Sequence, residues 1–188
     1  GAIIVPALIA IFGALHLEGD WTAHQAVATS LVTIIATGSI SAYSHHRRNA
    51  VDWPLFRVLG SGLLLGAMLG ALLGGQIASV WLQRLFALFL FYTGIRMLLQ
   101  RRMRALRPLP GAAGLSVTGI GFGSVSALLG VGGGILVVPF LAHHGVTLRR
   151  AVGTASACGV PIAAAGSVGF IVAGWQRPDL PPYSLGFV

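Results

Sequence analysis

The chain has 188 residues, of which 55% are hydrophobic and 9% charged, and its mean hydropathy is +0.85. These values exclude an ordinary soluble domain, and uncharged stretches such as 58–83 and 108–148 exceed the roughly 20 apolar residues that cross a bilayer. The net charge of +8 is compatible with nucleic-acid binding, but every basic residue is Arg and most lie at the ends of apolar segments. That placement is the positive-inside pattern of a membrane protein. We therefore predict the lipid bilayer as a partner and no nucleic acid.

Seven apolar segments follow one another along the chain, and each is predicted to be a helix. They occupy residues 1–15, 22–44, 54–78, 82–99, 111–129, 130–144 and 150–175. We predict an all-α integral membrane protein, 1–188 as one domain, with a first repeat at 1–99, a basic linker at 100–110 and a second repeat at 111–188. Because residue 1 lies inside a motif and residues 181–188 resemble the entry into another apolar segment, we expect the chain to be truncated at both ends.

A glycine-rich element occurs once whole, at 130–141, and once shortened, at the start of the chain. Gly1 aligns with Gly134 and Pro6 with Pro139, at an offset of 133. Further along, AVAT ending at Thr29 aligns with AVGT ending at Thr154, at an offset of 125. In a membrane chain, paired segments that Gly and Pro interrupt at corresponding places point to a transporter's binding site.

A consistent membrane topology follows when the Arg-rich loops at 47–48 and 101–107 are placed in the cytoplasm. Segment 22–44 then runs inward and its repeat partner 150–175 runs outward, so the two repeats are predicted to be inverted. Residues 149–150 return to the cytoplasmic side. The acidic residues predicted to be external are Glu18, Asp20 and Asp179.

The glycine element carries the candidate substrate site. Three successive glycines are poor helix formers, and a half-helix that starts just after Gly134 would direct its N–H groups and dipole toward an anion. Each proline of the element removes an N–H and breaks a helix, and hydroxyls in the following span are neutral donors. Packing of the glycines and helix-to-helix bonds of the hydroxyls stay open as alternatives. The predicted substrate-binding residues are Gly132, Gly133, Gly134, Pro139, Thr154, Ser156, Gly1, Pro6, Thr29 and Ser30.

Other residues predict structure rather than chemistry. Four glycines spaced four apart on one face of the third segment predict a helix-packing seam, with Gly119 and Gly123 contributing from the fifth. The histidines lie near predicted span ends and are interpreted as solvated, with metal binding or proton transfer as the alternative. Arg96 either snorkels to the interface or attracts an anion from the cytoplasmic side. The seam glycines are Gly62, Gly66, Gly70 and Gly74.

The four carboxylates lie outside the predicted spans, and this placement argues against several functions. A proton relay or a sodium site inside the membrane needs buried acidic groups, and so does acid–base catalysis. No metal, cofactor or enzymatic activity is predicted. A lone cysteine, Cys158, also excludes an internal disulfide.

The motifs together resemble the sulfite exporter TauE/SafE family. The matching pieces are GVGGGILVVPFL at 130–141, RRAVGTASA at 149–157, GAIIVPAL at 1–8, AVATSL at 26–31 and the stretch 45–74. The resemblance implies an all-helical inner-membrane protein of two repeated halves that exports sulfite or organosulfonates. The chain has Thr154-Ala155 where the family usually shows Thr-Ser, so one hydroxyl is missing from its second half.

Two function classes are compatible with the sequence. A multi-pass inner-membrane transporter, exporting a small anionic substrate by alternating access between the repeats, accounts for the breaks and the lack of buried acids. A membrane scaffold or assembly protein would need only the packing glycines. A membrane enzyme would have no catalytic group beyond Cys158 and the histidines. The identity of the anion, the coupling ion and the oligomeric state, including a homo-oligomer, stay open.

Overall fold

The computed structural model describes residues 1–14, 19, 21–98, 108–175 and 185–188, and these form seven α-helices. The helices are α1 (Ile4–Ala14), α2 (Thr22–Arg47), α3 (Trp53–Gly74), α4 (Ser79–Leu98), α5 (Ala112–Leu128), α6 (Gly134–His143) and α7 (Leu148–Gly174). Each coincides with one predicted segment, which confirms the all-α membrane fold. Helices α2, α3 and α7 are long and apolar enough to cross a membrane, while α1, α5 and α6 are apolar but shorter. Most of the predicted linker, 99–107, lies outside the described residues.

Helix boundaries follow from local sequence. α3 begins after Asp52, whose carboxylate accepts a hydrogen bond of 3.2 Å from the N–H of Leu55, as a helix N-cap does. Pro54 occupies the first turn of α3, where a missing N–H leaves no helical bond unmade. α2 ends before Asn49, which has a left-handed φ of 52° and turns the chain toward α3. α6 begins at Gly134, within one residue of the half-helix start considered in the Gly-led segment 130–144.

α3, α5 and α7 run parallel, and glycines bring the α3 and α5 backbones together over three successive turns, while Gly74 in the next turn meets the Leu128 side chain. A methyl group at Gly66 would overlap the carbonyl oxygen of Ile120, and one at Gly123 would overlap that of Leu63. The hydroxyl of Ser124 also donates to the carbonyl of Gly66 at 2.9 Å. The predicted glycine seam is therefore confirmed. Its facing pairs are Gly62 with Ser116, Gly66 with Ile120, Gly70 with Ser124, and Gly74 with Leu128.

α2 lies antiparallel to α7, as the prediction of inverted repeats requires. The Leu31 side chain lies beside Gly166, and the Val160 side chain lies beside Gly38. The loop after α2 and the start of α7 thus share one end of the bundle, called the arginine end below. The basic residues placed there are Arg47, Arg48, Arg149 and Arg150.

At the opposite end His24 is buried, so the prediction of solvated histidines is wrong for this residue. Its Nε2 lies 3.0 Å from the carbonyl oxygen of Gly74 at the end of α3, and its ring stacks on Phe187 and packs edge-on against Trp21. The same carbonyl also accepts a hydrogen bond of 3.1 Å from the N–H of Ile77, so both hydrogen bonds lie at the end of α3. His16 lies outside the described residues, and the remaining histidines are partly or fully exposed.

Candidate functional site

Residues 130–133 cross the middle of the bundle without forming a helix. Gly130 adopts a left-handed φ of 62° after α5 ends, and its N–H donates to the carbonyl of Ala127 at 3.1 Å. Gly132 then lies beside the side chain of Ile34, near the midpoint of α2. From Gly134, α6 runs for ten residues toward the arginine end. The break therefore ends in a helix N-terminus at the buried Gly133 and the exposed Gly134, and the first N–H groups of that helix have no intrahelical partners.

α1 begins beside the same break. Gly1 packs so closely that a methyl group on it would overlap the carbonyl oxygen of Gly130. α1 then runs away from the arginine end, because Ile9 borders a cavity together with Trp21 at the opposite end. The two glycine elements thus adjoin, and the short helices that follow them leave in opposite directions.

In the first half of the chain, a serine hydroxyl holds the break in place. Ser30 is buried, and its hydroxyl donates a hydrogen bond of 3.0 Å to the carbonyl oxygen of Gly130. Its neighbour Thr29 is half-buried, and the carbonyl of Thr29 accepts a hydrogen bond from the Thr33 hydroxyl at 3.0 Å. The structure therefore brings Gly1 and Ser30 to the start of the break, with Thr29 next to them on α2.

In the second half, the predicted threonine lies elsewhere. The buried Thr154 hydroxyl accepts a hydrogen bond of 3.0 Å from the backbone N–H of Asp52, in the loop at the arginine end. Leu31, the neighbour of Ser30 on α2, lies level with Gly166 of α7. Thr154 lies twelve residues before Gly166, so it is about 18 Å along α7 from the level of Ser30. The structure does not bring Thr154 together with Ser30. Ser156 follows on α7 and is half-buried.

One wall of the break is formed by α7. A Cβ atom at Gly133 would lie 3.2 Å from the carbonyl oxygen of Ala155 and 3.5 Å from the Cβ of Cys158. Sequence analysis did not identify Cys158 or Ile34 as neighbours of the glycines. The run of mostly small side chains at 151–159 could have predicted this contact, because small residues let another backbone approach a helix. Gly134, by contrast, faces open space, because no atom of the described residues lies within 4 Å of the position that a Cβ atom on it would occupy.

The two prolines and the charged residues complete the surroundings. Pro139 is half-buried inside α6, whereas Pro6 is exposed on α1, and each leaves a carbonyl one turn earlier without its helical donor. Arg96 is exposed on α4, 6.0 Å from the centre of the Tyr92 ring. Within the described part of the chain, no group of three His, Cys, Asp or Glu residues could hold a metal ion. The residues that contact the break supply backbone and hydroxyl groups, not charges.

The motifs that surround this break match one known family across the chain. Residues 1–187 match the family described as Sulfite exporter TauE/SafE. The chain belongs to the TauE/SafE family. No solved structure gave a significant match.

Several curated proteins are similar to this TauE/SafE chain. A "Probable membrane transporter protein" of Haemophilus influenzae is 32% identical over 193 residues, covering 100% of this chain and 72% of that protein. "Probable membrane transporter protein YunE" of Bacillus subtilis is 29% identical, covering 74% of this chain and 58% of YunE. A "Probable membrane transporter protein" of Xylella fastidiosa strain 9a5c is 29% identical, covering 98% of this chain and 69% of that protein. The chain thus spans only part of the length of each relative.

The TauE/SafE chain also has a cavity of about 450 Å³ at the end opposite the arginines. Helix starts border it, with Thr22 from α2 and Ser79 from α4. The hydroxyl of Ser79 accepts a hydrogen bond of 3.1 Å from the N–H of Ala23. The described residues that line this cavity include none of the predicted site residues, so the cavity and the break are separate features.

Proposed function

We propose that this chain forms the core of a membrane transporter that exports a small sulfur-containing anion, such as sulfite or an organosulfonate. Membership of the TauE/SafE family and the names of the relatives support a membrane transporter. The choice of a sulfur-containing anion rests on the family's description as a sulfite exporter, and the chemistry of the break fits a small anion in general. We assign the protein to the cell inner membrane, with the arginine end cytoplasmic, because basic loops favour that side.

The observation that carries the proposal is the α6 N-terminus, which begins at the exposed Gly134 directly after the buried Gly133. Free N–H groups and the positive end of a helix dipole suit a negative charge. A sulfite or sulfonate group presents several oxygen acceptors, which match several N–H donors at once. Neutral donors also let the anion leave again, whereas a buried Arg would bind it with a charge-assisted hydrogen bond of about twice the strength.

Alternating access needs two halves that move against each other around such a site. We propose that residues 1–99 and 111–188 are these halves, joined by the linker at 100–110 and inverted with respect to each other. The antiparallel directions of α2 and α7, and the opposite departures of α1 and α6 from the break, support this assignment. Irregular backbone at membrane depth is stable when it is buried in protein or lines a wet cavity, and Gly134 faces open space.

A pair of glycine variants tests the site. Gly134→Val adds a branched side chain where no described atom lies within 4 Å, so we expect normal folding but loss of anion flux. Gly94→Val is the matched control, because Gly94 on α4 is equally open on the same criterion. Flux is measured in inside-out vesicles with sulfite, an alkyl sulfonate, thiosulfate and a carboxylate. Normal sulfite flux in correctly inserted Gly134→Val would refute the site.

The same assay distinguishes the alternative of a scaffold. A scaffold protein would show no flux of any anion in the unaltered chain, and both variants would behave alike. The seam between α3 and α5 is compatible with either function, but it gives no reason for a helix to begin at Gly134 in open space. The break therefore favours transport.

A further inference from the structure

We propose that the first half of α7, residues 148–159, is a gate at the arginine end, latched to the α2–α3 loop and hinged at Pro161. The proposal rests on the proposed transport function and names the part of the chain that moves. The contacts of the gate lie about 18 Å along α7 from the level of Ser30, so they are separate from the contact between Ser30 and Gly130.

The latch consists of four contacts between residues 48–52 and the first two turns of α7. The N–H of Asp52 donates to Thr154 at 3.0 Å, and Arg149 donates to the carbonyl of Arg48. Arg150 lies 3.9 Å from the Asp52 carboxylate, with both side chains partly exposed. Gly153 lets the backbones touch, because a Cβ atom on it would overlap the carbonyl oxygen of Ala50.

These contacts are of a kind that can open and close. Apart from the backbone contact at Gly153, they are single hydrogen bonds and one exposed ion pair, and exposed ion pairs contribute little to stability. Residues 162–174, called the outer half of α7 below, are held differently. Gly169 packs against Ala71 of α3, and Gly166 packs against Leu31 and Ala127, so that half is fixed by close packing of small residues.

A hinge lies between the two halves. Pro161 stands inside α7, so the carbonyl of Ala157 lacks its usual helical donor and the helix bends more easily at this point. The wall of the glycine break, Ala155 and Cys158, lies on the latched side of Pro161. Opening the latch would therefore move this wall away from Gly133 and expose the break toward the arginine end.

A disulfide staple tests the latch in a background in which Cys158 is replaced by Ala. Ala50→Cys with Gly153→Cys places the two Cβ atoms 3.0 Å apart, and the new Cβ at residue 153 also overlaps the carbonyl oxygen of Ala50, so a bridge forms after the loop shifts by about 1 Å. The control staple is Ala127→Cys with Gly166→Cys, which joins α5 to the outer half of α7 at a Cβ separation of 3.3 Å. We expect the oxidised latch staple to abolish anion flux and reduction to restore it, while the control staple leaves flux intact. Flux through the oxidised latch staple, or equal block by both staples, overturns the proposal.

A second measurement needs no substrate, so it separates failure of the gate from failure of the transport function. Ser156→Cys, on the gate, is labelled with a membrane-impermeant thiol reagent from the arginine side. Thr154→Val removes the acceptor for Asp52 and should raise the labelling rate roughly threefold to tenfold, as loss of one hydrogen bond allows. Thr154→Ser keeps the acceptor and should label like the unaltered chain. Equal labelling of the Val and Ser variants refutes the latch, even if sulfite is transported.

Discussion

Paired glycine substitutions on α5 give the most direct test of how the bundle is held together. Gly123 faces α3, and a methyl group there would overlap the carbonyl oxygen of Leu63 and lie 2.9 Å from the N–H nitrogen of Ala67. Gly121 lies on the other side of the same helix, with no described atom within 4 Å. Gly123→Ala and Gly121→Ala therefore make the same chemical change two residues apart, one inside the seam and one outside it.

The expected magnitude follows from the atoms that the new methyl group would meet. Both variants gain about 1 kcal/mol of helix propensity, which cancels in the comparison. At Gly123 the overlapping atoms belong to the α3 backbone, so α3 must move as a unit, and a gap of roughly 0.5–1 Å loses a quarter to a half of each contact along the seam. Overpacking of this kind costs about 1–3 kcal/mol. We expect the Gly123→Ala variant to be less stable than Gly121→Ala by about 1–3 kcal/mol.

Reversible unfolding in mixed detergent micelles, followed by circular dichroism, measures this difference. Gly66→Ala, on the α3 side of the same seam, should destabilise in the same direction. Combining it with Gly123→Ala should cost less than the sum, because either methyl group already separates the helices. Equal stability of the Gly121→Ala and Gly123→Ala variants would show that the close approach of α3 and α5 does not hold the bundle together.

Three further predictions concern the break and the topology. Ser30→Ala leaves the buried carbonyl of Gly130 without its donor and should lower the free energy of unfolding by about 1–3 kcal/mol, and an unchanged thermal midpoint would contradict this. Thr29→Val should change stability by less than about 0.5 kcal/mol but weaken anion binding by about 1–3 kcal/mol, and unaltered sulfite binding removes Thr29 from the site. Cysteines introduced at residues 20 and 104, with Cys158 replaced, should be labelled from opposite sides of the membrane, and labelling from one side would refute the inverted topology.

Much of the fold could be predicted because apolar length and residue size act locally. Each of the seven segments is recognisable from its own composition, and the four-residue spacing of Gly62, Gly66, Gly70 and Gly74 marks one face of one helix. The partner of that face could not be predicted. Whether Gly66 meets Ile120 or another residue depends on the relative position of two helices, which no local pattern encodes.

The site was predictable only in part, for the same reason. The glycine break and the start of α6 at Gly134 follow from local backbone chemistry. The partners of the hydroxyls do not: Ser30 bonds to a carbonyl 100 residues away, and Thr154 accepts from an N–H 102 residues away. His24 illustrates the same limit, because its position near a span end predicts exposure while Phe187, distant in sequence, covers its ring.

The types of contact divide the bundle into a part that is fixed and a part that can move. Where glycine backbones touch, as along α3 and α5, one added methyl group costs about 1–3 kcal/mol, and many such positions act together. At the arginine end, the Asp52–Thr154 bond contributes about 0.5–1.5 kcal/mol and the exposed Arg150–Asp52 pair at most about 1 kcal/mol. A conformational change that breaks these polar contacts and the single glycine contact at Gly153 is therefore less costly than one that separates α3 from α5. Because α7 packs on α3 and α5 through Gly169 and Gly166 on one side of Pro161 and meets the α2–α3 loop on the other, we expect the change to bend α7.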